Sequence, residues 1–288
     1  MNTTTIVNAT TATPRPATTA WQALRGHWPE YLIEGWALGT FMVSAGLFAT
    51  LFEAADSPLR QALANDDLRR VLVGIAMGLT AVALIYSPWG QRSGAHMNPA
   101  VTLSYLRLGK VRGWDAAFYM LAQFIGGTLG VLVALALLGE AFTAPPVSYA
   151  ATLPGPDGPW VACLAEALIS AGLMFTVLTV SSHPRLAART GWFAGALVAI
   201  FITVEAPFSG MSMNPARSFA SALPGGLWSG YWIYALAPLV GMQLGVALHL
   251  LRRHREETAC AKLVHGAGQR CIHCGYEPPS TSGDSHAR

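Results

Sequence analysis

The phrase Ser-Gly-x-x-Met-Asn-Pro-Ala is written twice in this chain, at Ser93–Ala100 and at Ser209–Ala216, 116 positions apart in 288 residues. Each copy follows a long apolar stretch. Recurrence at matching places in two apolar halves marks a duplicated unit, which constrains the fold more than any single motif does. Inverted repeats with short broken helices at corresponding positions mark a transport pathway near the bilayer midplane.

Charged residues make up 11% of the chain, against about 25% in ordinary soluble domains, and the mean hydropathy is +0.40. Six segments are long and nearly uncharged: Tyr31–Phe52, Val71–Pro88, Ala116–Leu138, Trp160–Ser182, Gly191–Phe208 and Gly230–Leu251. Each has about the 17–25 residues that a helix needs to cross a bilayer. Two further apolar pieces, Pro99–Tyr105 and Pro215–Leu223, are too short to cross. Each opens on a proline, a favoured first helical residue, and the pair is expected to form half-helices entering from opposite sides. The fold class expected is an all-α membrane protein with six transmembrane helices, two re-entrant half-helices and an inverted 3+3 repeat.

Charge placement sets the expected orientation. With six crossings and the N-terminus inside, 14 of the 18 Lys and Arg fall in cytoplasmic segments, so both termini are expected in the cytoplasm. Arg69 and Arg70, at the outer start of the second helix, run against this bias. Residues 1–28 are expected to be a disordered cytoplasmic tail without a secretory signal. Residues 29–252 form the membrane domain, with repeats at 29–139 and 158–252, and 253–288 form a second cytoplasmic tail that carries Cys and His. Three of the four cysteines lie in that tail, where a disulfide framework is not expected.

The halves correspond beyond the repeated phrase. Tyr119-x-Leu-Ala-Gln123 answers Tyr234-x-Leu-Ala-Pro238 at an offset of 115, and Glu34 answers Glu166. Three crossings per half is an odd number, so the copies lie inverted and their MNPA turns approach the midplane from opposite faces. Irregular backbone at that depth is tolerated only where protein or a water-filled cavity satisfies it. A pore lined by the two turns follows.

At this point the chain resembles the aquaporin (major intrinsic protein) family. The resemblance covers about Tyr31–Leu251 and rests on Glu34-Gly35, Gly39-Thr40, the stretch SGAHMNPAVTL, Ala122-Gln123, Glu166 and SGMSMNPARSF. It implies a homotetramer of six-helix protomers in membrane lipid, each with a passive pore for water or small neutral solutes. The NPA boxes are Asn98-Pro99-Ala100 and Asn214-Pro215-Ala216. An Asn at a helix start can cap through its side-chain oxygen while its NH2 faces the lumen. Two facing helix N-termini oppose cations and break a hydrogen-bonded chain of waters.

Arg217 is an intramembrane charge and a functional candidate for that reason. The resemblance assigns it to an outer constriction with Met77, Ile202 and Met211. Water-selective members have His where Ile202 stands and Phe where Met77 stands, and glycerol facilitators carry Asp where Ser218 stands. Water is the expected solute, with glycerol and hydrogen peroxide as alternatives. Glu34 and Glu166 are expected to accept hydrogen bonds from the re-entrant loops, and His96 to pack at the inner mouth. Glu205, three residues beyond Ile202, is a candidate for the outer vestibule or for a pair with Arg217. Gly126-Gly127, Gly172, Gly191 with Gly195, and Gly241 with Gly245 are candidate close-packing positions.

In the C-terminal tail, Cys260, His265, Cys271 and Cys274 could supply four tetrahedral zinc ligands; no other cofactor is expected. No nucleophile–base pair or phosphate loop indicates an enzyme, and nothing indicates a nucleic-acid partner. A secondary transporter would need coupling-ion residues, for which Glu205 is the lone lumenal carboxylate candidate. A channel regulated through a metal-binding tail is a further alternative. The expected location is a bacterial inner membrane.

Overall fold

The structure, a computed structural model, describes residues 19–252, 258, 260–266 and 268–278. Eleven α-helices lie among these residues: α1 Ala20–Glu53, α2 Pro58–Ala62, α3 Asp66–Tyr86, α4 Pro88–Ser93, α5 Pro99–Arg107, α6 Gly113–Leu138, α7 Glu140–Thr143, α8 Pro159–Ser181, α9 Thr190–Ser209, α10 Pro215–Gly225 and α11 Tyr231–Arg252. Six of them (α1, α3, α6, α8, α9 and α11) are long and apolar enough to cross a membrane. The half-helices α5 and α10 run slightly past their expected ends.

Two expected boundaries shift. α1 begins at Ala20, inside the segment assigned to the N-terminal tail, because Thr19 and Gln22 form a capping box: the Gln22 N–H donates to Thr19 Oγ1 at 3.2 Å and the Thr19 N–H to Gln22 Oε1 at 3.0 Å. At 34 residues α1 is about 51 Å long, so its first turns stand clear of the hydrocarbon. Residues 1–18 of that tail lie outside the described residues. Second, parts of the C-terminal segment are packed against the helices, as described below. Arg69 and Arg70 are matched by acidic partners: Arg69 pairs with Glu53 at 3.1 Å and Asp66 at 2.6 Å, and Arg70 with Asp67 at 2.9 Å. The local charge is thereby balanced where the positive-inside pattern is broken.

The strongest pairings are α1 with α6, α8 with α11, and α3 with α9. The first two are counterparts under the repeat, and the third joins the halves. Close approach rests on small residues. A Cβ on Gly39 would stand 2.7 Å from Gly126 O, and one on Gly245 would stand 2.6 Å from Ala171 O. Gly172 does not belong to this set, since its nearest neighbour is the Phe201 ring at 3.6 Å. Exposed tryptophans frame the bundle: Trp21, Trp28, Trp89, Trp114 and Trp192 where the tail packs, and Trp160, Trp228 and Trp232 at the opposite rim. This is the pattern of side chains at a membrane–water boundary.

Each re-entrant loop bends through three left-handed residues: Gly94, Ala95 and Met97 (φ 108°, 54°, 49°), then Gly210, Met211 and Met213 (78°, 55°, 55°). The non-glycine residues cost about 1–2 kcal/mol each in this region. A buried carboxylate offsets that cost. Glu34 Oε1 accepts from Ser93 Oγ at 2.7 Å and the His96 N–H at 3.0 Å, and Oε2 accepts from the Met97 N–H at 2.7 Å and Gln123 Nε2 at 2.9 Å. Glu166 repeats the arrangement with Ser209 Oγ at 2.8 Å, Ser212 N–H at 2.6 Å and Met213 N–H at 2.7 Å. Hydrogen bonds to a charged group contribute about 1.5–3 kcal/mol each, so three or four of them outweigh the strain of one loop. Tyr119 and Tyr234 add the closing bonds, their hydroxyls donating to Ser93 O at 2.7 Å and Ser209 O at 2.6 Å.

Two outcomes test this account. Glu166→Gln turns an accepting oxygen into an NH2 that faces backbone donors, and unfolding in detergent should show a loss of about 2–3 kcal/mol; an unchanged midpoint would mean the loop is held by other contacts. Gly245→Val should lose about 1–3 kcal/mol through overpacking, whereas Gly113→Ala, with open space around it, should not.

Candidate functional site

The two half-helices meet N-terminus to N-terminus, and the two asparagines make the junction. Asn98 Oδ1 accepts from the Ala100 N–H at 2.9 Å, and Asn214 Oδ1 accepts from the N–H groups of Ala216 at 3.0 Å and Arg217 at 3.2 Å. Both side chains are thus true caps. Their amide nitrogens cross between the halves: Asn98 Nδ2 donates to Met213 O at 2.7 Å, and Asn214 Nδ2 to Met97 O at 2.7 Å. This refines the sequence expectation. One N–H of each NH2 is used to bind the opposite loop, and each has a second hydrogen to offer. Pro99 and Pro215 occupy the first helical position, where a missing N–H costs nothing. Ala100 and Ala216 are fully buried behind the turns and leave the asparagines at the surface of the cavity.

That cavity has a volume of about 640 Å³ and is lined along its length by both halves. Asn98, Met97, Met213 and Asn214 line its middle. Met77, Ile202, Met211 and Arg217 line it on one side of the asparagines, and His96 lines it on the other. All four residues assigned to the constriction therefore share one lumen with the asparagines. Met77 is placed by Ser44, whose hydroxyl lies 3.8 Å from its sulfur. Arg217 lines the cavity, while its Nη1 is buried and has no hydrogen-bond partner among the described residues. Ser218 does not line the cavity; its hydroxyl lies 2.7 Å from Thr152 Oγ1 and 2.6 Å from Ser212 Oγ, tying the second loop to residues before α8.

Glu205 departs from expectation. It is buried, lies outside the cavity lining, and makes no ion pair with Arg217 among the described residues. The lining stripe of α9 runs Ala194, Val198, Ile202, Ala206, in steps of four. Residues three and four apart share a helix face, and the stripe passes through the fourth position, leaving Glu205 beside it. Glu34 and Glu166 likewise stand behind the loops, fully buried and outside the lining. His96 is buried between partners: Nδ1 lies 3.1 Å from Thr102 Oγ1 and Nε2 lies 2.7 Å from Ala261 O. The tyrosine pair Tyr119 and Tyr234 is visible in the sequence at its matching offset, but its hydrogen bonds to the loops are legible only in three dimensions.

A second constellation lies in the C-terminal segment. The ligand atoms of Cys260, His265, Cys271 and Cys274 all stand within 4.8 Å of one another. Cys260 Sγ is 3.4 Å from Cys271 Sγ, and His265 Nε2 is 3.3 Å from Cys274 Sγ. Tetrahedral zinc with bonds of about 2.0–2.3 Å sets its ligand atoms about 3.3–3.8 Å apart; these two pairs stand at that spacing, and the donor set suits the ion.

Comparison with known proteins agrees with this geometry. The family profile described as Major intrinsic protein matches residues 30–249. Aquaporin NIP2-3 of Zea mays is 36% identical over 200 residues, which is 69% of this chain and 64% of that protein. Aquaporin TIP4-4 of Zea mays is 38% identical over 175 residues, 57% of this chain and 68% of that protein. The chain thus spans about two thirds of the length of these relatives. The X-ray structure of the aquaglyceroporin from Plasmodium falciparum shares the fold, with a TM-score of 0.63 over 77% of this chain and 95% of that one, at 18% identity. With the profile running through both halves and both asparagine-capped turns, the chain belongs to the major intrinsic protein (aquaporin) family.

Proposed function

We propose that the chain is a passive transmembrane channel for water and small neutral solutes that excludes ions and protons. One observation carries the reading: Asn98, Asn214 and Arg217 line a single cavity, and each asparagine NH2 keeps a second hydrogen beyond its bond to the opposite loop. Each facing helix end contributes roughly half a positive charge. That field opposes a cation, and it turns the oxygens of passing molecules toward the asparagine donors, which interrupts a proton wire. A neutral molecule loses only hydrogen bonds that the lumen can replace, whereas an ion stripped of water faces a penalty on the order of 20 kcal/mol before compensation. A coupled transporter is disfavoured: Glu205 lies outside the lining, and the carboxylates that do line the cavity, Glu53 and Asp66, are each paired with Arg69.

The selectivity element is Met77, Ile202, Met211 and Arg217: three apolar walls beside one cation. Such a slot suits a solute with an oxygen for Arg217 and a small carbon surface for the rest. Water, glycerol and hydrogen peroxide meet this description. The protein works as a homotetramer in a bacterial inner membrane, with both termini and the His96 mouth on the cytoplasmic side. In support, Arg270 of the C-terminal segment reaches Gly26 O near the start of α1 at 3.0 Å, so the start of α1 and the described C-terminal segment share one face. The Cys/His cluster takes zinc, a reading supported by its ligand-atom spacing.

Stopped-flow light scattering on reconstituted vesicles, with and without a metal chelator, tests the channel: osmotic water permeability should exceed that of bare lipid, and equality in both conditions would refute the reading. Ile202→His places a polar group in the apolar wall. It should lower glycerol flux by roughly tenfold, a barrier increase of about 1.4 kcal/mol, with little change for water. Equal loss of both would remove Ile202 from the selectivity element.

A further inference from the structure

The described part of the C-terminal segment is seated in the mouth at which His96 stands, in two stretches held at the four-ligand cluster. The first follows Cys260. Ala261 is fully buried with its carbonyl 2.7 Å from His96 Nε2, and the Leu263 N–H donates to Gly94 O at 3.2 Å. Leu263, 7% exposed, lines the same cavity as the asparagines. The second stretch carries Cys271. Ile272 is buried against Tyr31 and Tyr119, and the His273 ring stacks on His96 with centroids 5.8 Å apart and 12° between planes. Arg270 donates to Glu30 Oε1 at 3.3 Å, and Lys262 Nζ donates to Arg270 O at 3.1 Å, joining the stretches.

Neither stretch contains a helix or a strand. Within the segment, the Cys271 N–H donates to Tyr276 O at 2.8 Å and the Gly275 N–H to Cys271 O at 2.9 Å, a tight turn around Cys271 and Cys274. So few internal bonds and so small an apolar core do not by themselves offset the entropy of ordering such a segment. A metal held by residues on both sides of the seated stretches does, because its binding free energy is folding free energy. Three cysteine sulfurs and an imidazole nitrogen, gathered within 4.8 Å of one another, select zinc over magnesium or calcium.

We infer that zinc at Cys260, His265, Cys271 and Cys274 folds the segment into a plug whose Leu263 closes the His96 mouth, so that removing the metal opens the channel. The inference rests on the channel reading above. With zinc bound, Leu263 stays in the cavity. With zinc lost, the segment exchanges its seat for solvent, and His96 faces an open mouth.

The test uses full-length protein in vesicles, with zinc measured by elemental analysis and water permeability by stopped flow before and after a membrane-permeant chelator. The expected result is about one zinc per chain and a rise of about tenfold on chelation, as the open fraction climbs from roughly a tenth to nearly all. Cys271→Ser with Cys274→Ser should be open without chelation. Leu263→Ala should keep its zinc and still leak, which separates occlusion from metal binding. Chelation of the unaltered chain keeps the test valid if a variant fails to fold. Zinc bound with permeability unchanged by chelation overturns the plug and leaves the metal site standing. No zinc in the purified protein overturns the plug and the metal site together. Vesicles no leakier than bare lipid in every form, with zinc demonstrably bound and released, overturn the channel reading and the plug with it.

Discussion

A chain that turns back on itself inside a bilayer exposes backbone N–H groups where no water can satisfy them, and the rest of this structure depends on how they are met. Two buried carboxylates, Glu34 and Glu166, each receive a serine hydroxyl and two consecutive N–H groups of a re-entrant loop. Without them the left-handed residues at 95, 97, 211 and 213 would have no reason to persist. With them, α5 and α10 are aimed at one another, and the asparagines stand where the cavity passes. The two scaffolds are not identical. Gln123 adds a fourth donor to Glu34, and Pro238, which stands at the matching place in the second half, has none to give.

The lumen is chemically far more lopsided than the scaffold that shapes it. On one side of the asparagines, Arg217 brings a permanent charge among Met77, Ile202 and Met211. On the other, buried His96 is wedged between Thr102 and the Ala261 carbonyl. Duplication accounts for what the halves share, the loops and their supports. Divergence has concentrated at the mouths, where a side chain can change without disturbing the backbone network of the other half.

Much of this was legible in the sequence, for physical reasons. Helices that face lipid must be apolar along their whole length, so six crossings stand out as uncharged runs. The half-helices stand out because each begins with Asn-Pro, a cap followed by a residue that fits only a helix start. Glu34 and Glu166 could be singled out because an unpaired carboxylate in such a run has to be satisfied. Glu205 met the same criterion and was misassigned to the lumen, since positions three and four residues on from Ile202 are equivalent on a helix until packing chooses between them. The start of α1 depended on a local capping box at Thr19 and Gln22, overshadowed in the sequence by its Thr- and Pro-rich neighbours. The seating of the C-terminal segment left no periodic trace, because its described residues form no helix or strand; only the Cys and His spacing hinted that they would be ordered.

The reciprocal bonds Asn98 to Met213 and Asn214 to Met97 have a mechanical consequence. Neither loop is finished without the other, so parting the halves would strand two buried amides and two carbonyls in a single motion. The midpoint is therefore a keystone and not a valve: it can filter what passes but cannot open or shut. A protein built this way must leave any throttling to its rims.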